Sequence, residues 1–109
     1  MKPRHYFILT ALAARDEHGL AIAREVARLS DGGMTLWPAT LYGSLEELLE
    51  LRWIEELGPR SRPADVSEKK RFYRLTRSGR RALRAETERL AELVKVARAR
   101  VKARAGESA

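Results

Sequence analysis

Asp31-Gly32-Gly33-Met34-Thr35-Leu36-Trp37-Pro38-Ala39-Thr40-Leu41-Tyr42-Gly43-Ser44-Leu45 is the stretch on which the architecture turns. Its paired glycines stop the helix before them, because a helix end or tight turn needs positive φ values that glycine adopts at no steric cost. Residues 34–37 read as a short β-like segment. Pro38 suits the first turn of a new helix, where its missing amide costs nothing. Leu41, Leu45, Leu48 and Leu49 then recur at helical spacing and carry that helix to about residue 51.

Working outward, residues 18–30 form the helix that the glycines end. Leu20, Ile22, Ala23, Val26, Ala27 and Leu29 keep its apolar spacing, with Arg24, Glu25 and Arg28 opposite. Residues 5–14 are apolar almost all round, which predicts a helix buried on more than one side. Arg15, Asp16 and Glu17 read as a polar connection. After the third helix, residues 53–57 read as a strand, 58–68 as a polar loop with two prolines, and 69–75 as a second strand. Thr76 is a suitable N-cap for a long last helix over residues 77–105, about 40 Å long at 1.5 Å per residue. Three helices followed by a two-stranded hairpin with a charged tip make a winged helix-turn-helix, mainly α with a small β-hairpin. In such a domain the second helix of the pair enters the DNA major groove and the loop between strands, the wing, meets backbone. The expected divisions are 1–76 for the DNA-binding domain, 77–105 for a dimerisation helix and 106–109 for a disordered tail.

The charge is distributed in keeping with that reading. The 109 residues carry 22 Lys/Arg against 15 Asp/Glu, a net of +7. Residues 1–59 hold six cations against nine carboxylates, 60–76 six against two, and 77–109 ten against four. The basic face is therefore in the second half, and an excess of cations favours a polyanionic partner through counterion release. With no cysteine, thiolate chemistry, disulfides and cysteine-ligated metals are excluded. His5 and His18 are the only histidines and lack partners at ligand spacing; no serine lies in a nucleophile elbow, and no glycine loop is shaped for phosphate. No enzyme, metal or cofactor is expected. No apolar run approaches the roughly 18 residues of a membrane span, and residues 7–14 are too short for a secretion signal. The expected compartment is the cytoplasm.

The last helix has its own pattern. Leu83, Thr87, Leu90, Val94, Ala97 and Val101 follow at steps of four, three, four, three and four, a heptad seam that Leu93 widens. A helix longer than the small body it leaves is expected to pack on a second copy, making those six residues a dimer interface.

Four segments resemble the PadR family of transcriptional regulators over residues 6–105. Phe7-Ile8-Leu9-Thr10-Ala11-Leu12 is similar to the family's opening helix, and His18-Gly19-Leu20 to its His-Gly-Tyr start of the second. Pro38-Ala39-Thr40-Leu41-Tyr42 resembles the Pro-x-Thr-Leu-Tyr recognition-helix motif, and Arg71 to Gly79 the junction after the wing. The resemblance implies a dimeric winged-helix DNA-binding protein, usually a repressor, of the short branch with a single C-terminal helix. Two departures stand out. Arg52 replaces the glycine of the family's Leu-Glu-x-x-Gly, so a differently shaped turn into Trp53 is expected. Glu46 and Glu47 make the recognition helix acidic, which opposes phosphate.

The candidate DNA contacts are Pro38, Ala39, Thr40, Tyr42 and Gly43 on the recognition helix, and Arg60, Arg62, Lys69 and Lys70 in and beside the wing. Tyr42 has a hydroxyl suited to phosphate or a ring suited to packing on the wing or second helix. Lys2, Arg4 and His5 are secondary phosphate candidates. Trp37 and Trp53 are expected to pack under the hairpin. Tyr6, Phe7, Leu90 and Val94 form a candidate pocket for a small aromatic effector at the dimer centre. The function so read is a repressor binding a palindromic operator as a homodimer. The alternatives are a winged-helix dimer whose acidic helix binds a partner protein, and non-specific nucleic-acid binding through the arginine-rich last helix.

Overall fold

A computed structural model describes residues 1–62 and 70–108, with the side chains of Glu107 and Ser108 left aside. The element order is α1 (Pro3–Ala14), β1 (Glu17–His18), α2 (Gly19–Leu29), α3 (Pro38–Glu50), β2 (Ile54–Glu56), a 3-10 turn (Pro59–Ser61), β3 (Phe72–Leu75) and α4 (Arg77–Ser108). It is the winged helix-turn-helix with a long C-terminal helix that the pattern predicts.

The core is one cluster. Ile8, Leu9 and Leu12 of α1, Ile22 and Val26 of α2, and Leu41, Leu45 and Leu48 of α3 meet Ile54, Tyr73 and Leu75 of the sheet. Leu41, Leu45 and Leu48 are spaced to line one face of α3, and burying that face fixes which residues α3 turns outward. Leu20 departs from the expected apolar face of α2 and stands half-exposed.

Two helix ends differ from expectation. The left-handed residues after α2 are Asp31 (φ 50°) and Gly32 (φ 78°), not the glycine pair. Short polar side chains such as aspartate tolerate that region. After α3, Arg52 takes φ 61°. Its amide donates to the Leu49 carbonyl at 3.0 Å and the Trp53 amide to that of Leu48 at 3.1 Å. Those bonds make the Schellman turn that normally uses glycine. The turn keeps the glycine shape, and the arginine backbone bears the strain.

The sheet has three strands, not two, in the order β1-β3-β2 and antiparallel throughout. His18 lies opposite Phe72, and Ile54 opposite Leu75. Residues 34–37, expected to be β-like, join no strand. At the far side of the hairpin the Thr76 hydroxyl accepts from the Gly79 amide at 3.0 Å and donates to the Arg52 carbonyl at 2.7 Å. It therefore caps α4 and ties it to the turn after α3. A Cβ on Gly79 would lie 1.9 Å from the Trp53 carbonyl oxygen, so this approach needs glycine.

The helix α4 continues to Ser108, past the expected end at residue 105. It makes the molecule 61 Å long and only 27 by 22 Å across. Among the described residues no helix is long and apolar enough to cross a membrane.

Candidate nucleic-acid interface

With its leucines inward, α3 presents Pro38, Ala39, Thr40, Tyr42, Gly43, Glu46 and Glu50 outward. All five expected contact residues of this helix are therefore exposed together, on its first two turns. The first intrahelical bond runs from the Leu41 amide to the Trp37 carbonyl at 2.8 Å. Trp37 provides no side-chain cap, so the amides of Ala39 and Thr40 face outward at the positive end of the helix dipole.

Tyr42 takes the packing role of its two sequence readings. A Cβ on Gly19 would meet its hydroxyl at 2.9 Å and its ring at 3.2 Å, so the ring lies directly on the start of α2. Yet 45% of the residue is exposed, and it lines a cleft with His18, Lys70 and Arg71. The glycine of His18-Gly19 thus makes room for the tyrosine of the recognition-helix motif. His18 in turn caps α2, its Nδ1 accepting from the Ala21 amide at 3.4 Å.

Two of the acidic residues of α3, Glu46 and Glu47, lie beside cations of the same chain. Lys2 Nζ lies 3.0 Å from Glu47 Oε2 and Arg4 Nη2 3.5 Å from Oε1. His5, almost wholly buried, brings Nε2 to 2.9 Å from the same carboxylate without an aligned hydrogen bond. The Lys2 hydrogen bond holds the Glu47 carboxyl below its ordinary range, so it stays ionised. Burial also lowers the His5 imidazole, which for a base favours the neutral form. Arg4 also donates from Nε to the Ser44 hydroxyl at 2.9 Å, which itself donates to the Thr40 carbonyl at 2.7 Å. Lys2, Arg4 and His5, secondary phosphate candidates in the sequence, are thus engaged with α3.

Glu46 is handled from the other side. Arg71 makes a two-pronged bond to Glu56 across the hairpin at 2.9 and 3.0 Å, and its Nη2 comes within 3.8 Å of Glu46. The Glu56 carboxyl is held low by that bond and the Arg71 guanidinium raised. These long-range partners were not legible in the sequence, where Glu46 and Glu47 appear as uncompensated charge.

In the wing, Arg60 is exposed on the 3-10 turn and Lys70 is exposed where β3 approaches. Arg62 donates to the Lys70 carbonyl and stacks its guanidinium 5.7 Å from the Phe72 ring centre, bracing the base of the loop. Lys69 lies outside the described residues.

The two tryptophans separate. Trp53 packs against the core as expected, but Trp37 does not lie under the hairpin: 71% of it is exposed. The signal was its place directly before Pro38, outside the helix and its leucine face.

The seam of α4 also divides. Leu83 packs on the core, and the Thr87 hydroxyl, which donates to the Leu83 carbonyl, accepts from the Tyr6 hydroxyl at 2.8 Å. Phe7 is half-buried against the core and Leu90 half-buried on α4. Beyond them Leu93, Val94, Ala97 and Val101 are exposed, Val101 to 70%. The structure brings Tyr6 to α4; within one chain Val94 stays in the open.

The model of the transcriptional regulator PadR-like family matches residues 8–85. Among curated proteins none matches. The fold is similar to that of a PadR family transcription regulator from Clostridium difficile R20291, at 20% identity and a TM-score of 0.70 over 87% of this chain and 94% of the other. RosR of H. salinarum aligns at 24% identity with a TM-score of 0.67, over 84% of this chain and 76% of its own. F93 from STIV, a winged-helix DNA-binding protein, aligns at 17% identity with a TM-score of 0.69, over 86% and 94%.

Proposed function

The chain belongs to the PadR-like family of transcriptional regulators and has the winged-helix DNA-binding fold, and from that premise we propose that it is a cytoplasmic homodimeric repressor of a palindromic operator. The first turns of α3 enter the major groove of each half-site, with Thr40 and Tyr42 on phosphate or base edges and Pro38, Ala39 and Gly43 allowing close approach. Arg60, Arg62, Lys69 and Lys70 hold the backbone from the wing. Leu83, Thr87, Leu90, Val94, Ala97 and Val101 pair the two copies, and an aromatic effector binds between them beside Tyr6, Phe7, Leu90 and Val94.

The observation that carries this reading is the neutralisation of the acidic helix. Glu47 is matched by Lys2 and Arg4, and Glu46 lies near Arg71, which it shares with Glu56, so the charge of Glu47 is compensated and that of Glu46 reduced. That removes the main electrostatic objection to α3 as a reading helix. It equally weakens the partner-protein alternative, which needed those charges available.

The test is binding to the DNA upstream of its own gene against an unrelated duplex, at two salt concentrations. A preferred, footprinted complex with two half-sites about 34 Å apart supports the proposal. Equal weak binding that vanishes with salt leaves only electrostatic attraction and overturns it.

A further inference from the structure

Trp37 occupies a position for which folding gives no reason. It is the N-cap of α3, a place where Ser, Thr, Asp or Asn would satisfy a free amide, and the indole makes no such bond. It does not pack either, with 71% of its surface exposed, whereas Trp53 contributes to the core. Its backbone is nevertheless held firmly. Pro38 restricts the residue before it to extended conformations, the observed φ and ψ are −68° and 155°, and its carbonyl receives the Leu41 amide at 2.8 Å. A flat apolar side chain therefore projects from a fixed anchor at the leading end of α3, continuous with exposed Pro38, Ala39 and Thr40.

We propose that Trp37 is a specificity-determining residue, its indole packing on the 5-methyl group of a thymine in the major groove of each half-site. The inference rests on the operator-binding reading above and deepens it. Thymine carries the methyl group that gives the major groove its apolar feature, and an uncharged ring that contacts it adds sequence preference without neutralising phosphate. The surrounding face supplies polar reach through Thr40 and the open amides of α3; Trp37 supplies the apolar contact those groups lack.

The experiment selects bound sequences from a random duplex library with the wild-type protein, W37A and W37F. Affinities then follow on the selected duplex and on one with deoxyuridine in place of each selected thymine. The wild type is expected to lose about fivefold at one deoxyuridine position, the lower end of what one altered base pair costs. W37A loses a similar factor on the thymine duplex but nothing further on the deoxyuridine duplex. W37F keeps part of the preference, and the salt slope is the same for all three. Thermal melts check that the exposed substitutions leave the fold intact. If W37A selects the same sequence with wild-type affinity, the proposal falls while the regulator reading stands. Equal losses on every duplex, or a change in sedimentation, place Trp37 in a protein contact and also overturn it. A wild-type protein that selects no motif overturns the regulator reading and this inference together.

Discussion

Arg52 and His5 each hold a state that their side chains resist. Arg52 sits at φ 61°, where a residue with a Cβ is disfavoured by roughly 1–2 kcal/mol, in a turn that the family usually makes with glycine. Its carbonyl still receives the Thr76 hydroxyl, a bond that glycine would preserve. Arg52→Gly is therefore expected to stabilise the fold by about 1 kcal/mol, less a few tenths for the greater freedom of glycine when unfolded. Urea denaturation checks it; a lower midpoint would mean that the arginine side chain contributes more than its strain costs. His5 concerns pH. Burial disfavours its charged form most, the Glu47 carboxylate pulls the other way, and Arg4 and Lys2 add to the penalty, so its pKa lies below 6.5 in the folded chain. The unfolded chain takes up that proton first, and stability declines as pH falls from about 6.5 toward the folded value. Above that range His5 is neutral in both states and contributes no slope. The decline between pH 7.5 and 5.5 should be shallower in His5→Gln than in the wild type. Identical slopes would remove His5 as its source.

At the scale of elements, what was legible follows from range. The leucine face of α3, the cap at Thr76 and the order of helices rest on contacts within a few turns, and the structure has them. Of β1, Glu17 was read as a polar connection and His18 as the start of a helix, because the two have no strand pattern of their own; pairing with Tyr73 and Phe72, more than fifty residues away, makes them a strand. The same distance hid the partners of Glu46 and Glu47. The end of α2 was read as a glycine pair and uses Asp31 with Gly32, and the turn after α3, where Arg52 was expected to change the shape, keeps the glycine geometry. In the wing, the two arginines read alike in sequence but differ in place. Arg60 is exposed on the 3-10 turn, while Arg62 braces the loop through the Lys70 carbonyl and the Phe72 ring. Arg60→Glu should weaken binding to every duplex and flatten the salt dependence by about one to two units of slope, with an unchanged melt. Arg62→Glu should do the same and also lower the melting temperature. Fluorescence anisotropy over a salt series, beside thermal melts, separates them. Unaltered affinity in Arg60→Glu would take the wing out of the interface.

At the scale of the whole molecule, the shape poses the question that one chain leaves unanswered. A helix of 32 residues gives a molecule 61 Å long and 27 by 22 Å across, and its outer half carries Val94 and Val101 in the open beside Leu93. The inner half of the seam also has contacts within its own chain: Leu83 packs on the core and Thr87 bonds Tyr6. The outer half is the more exposed part, and it is also the most basic part of the helix, with Lys95, Arg98, Arg100, Lys102 and Arg104 and no carboxylate among them. Two such segments side by side in register would repel, whereas each set against the partner's Glu86, Glu88 and Glu92 would not. Charge thus favours an antiparallel pairing, and added salt would weaken it by screening that attraction. Val94→Arg places a further cation in the seam without disturbing the core of its own chain. It should sediment as a monomer where the wild type sediments at twice the chain mass. Because two half-sites are then no longer held together, its operator affinity should fall by at least tenfold while its affinity for a single half-site stays near the wild-type value, the lost factor being the effective concentration that dimerisation supplies. A Val94→Arg chain that remains dimeric and binds the full operator normally would show that the seam of α4 does not pair the copies.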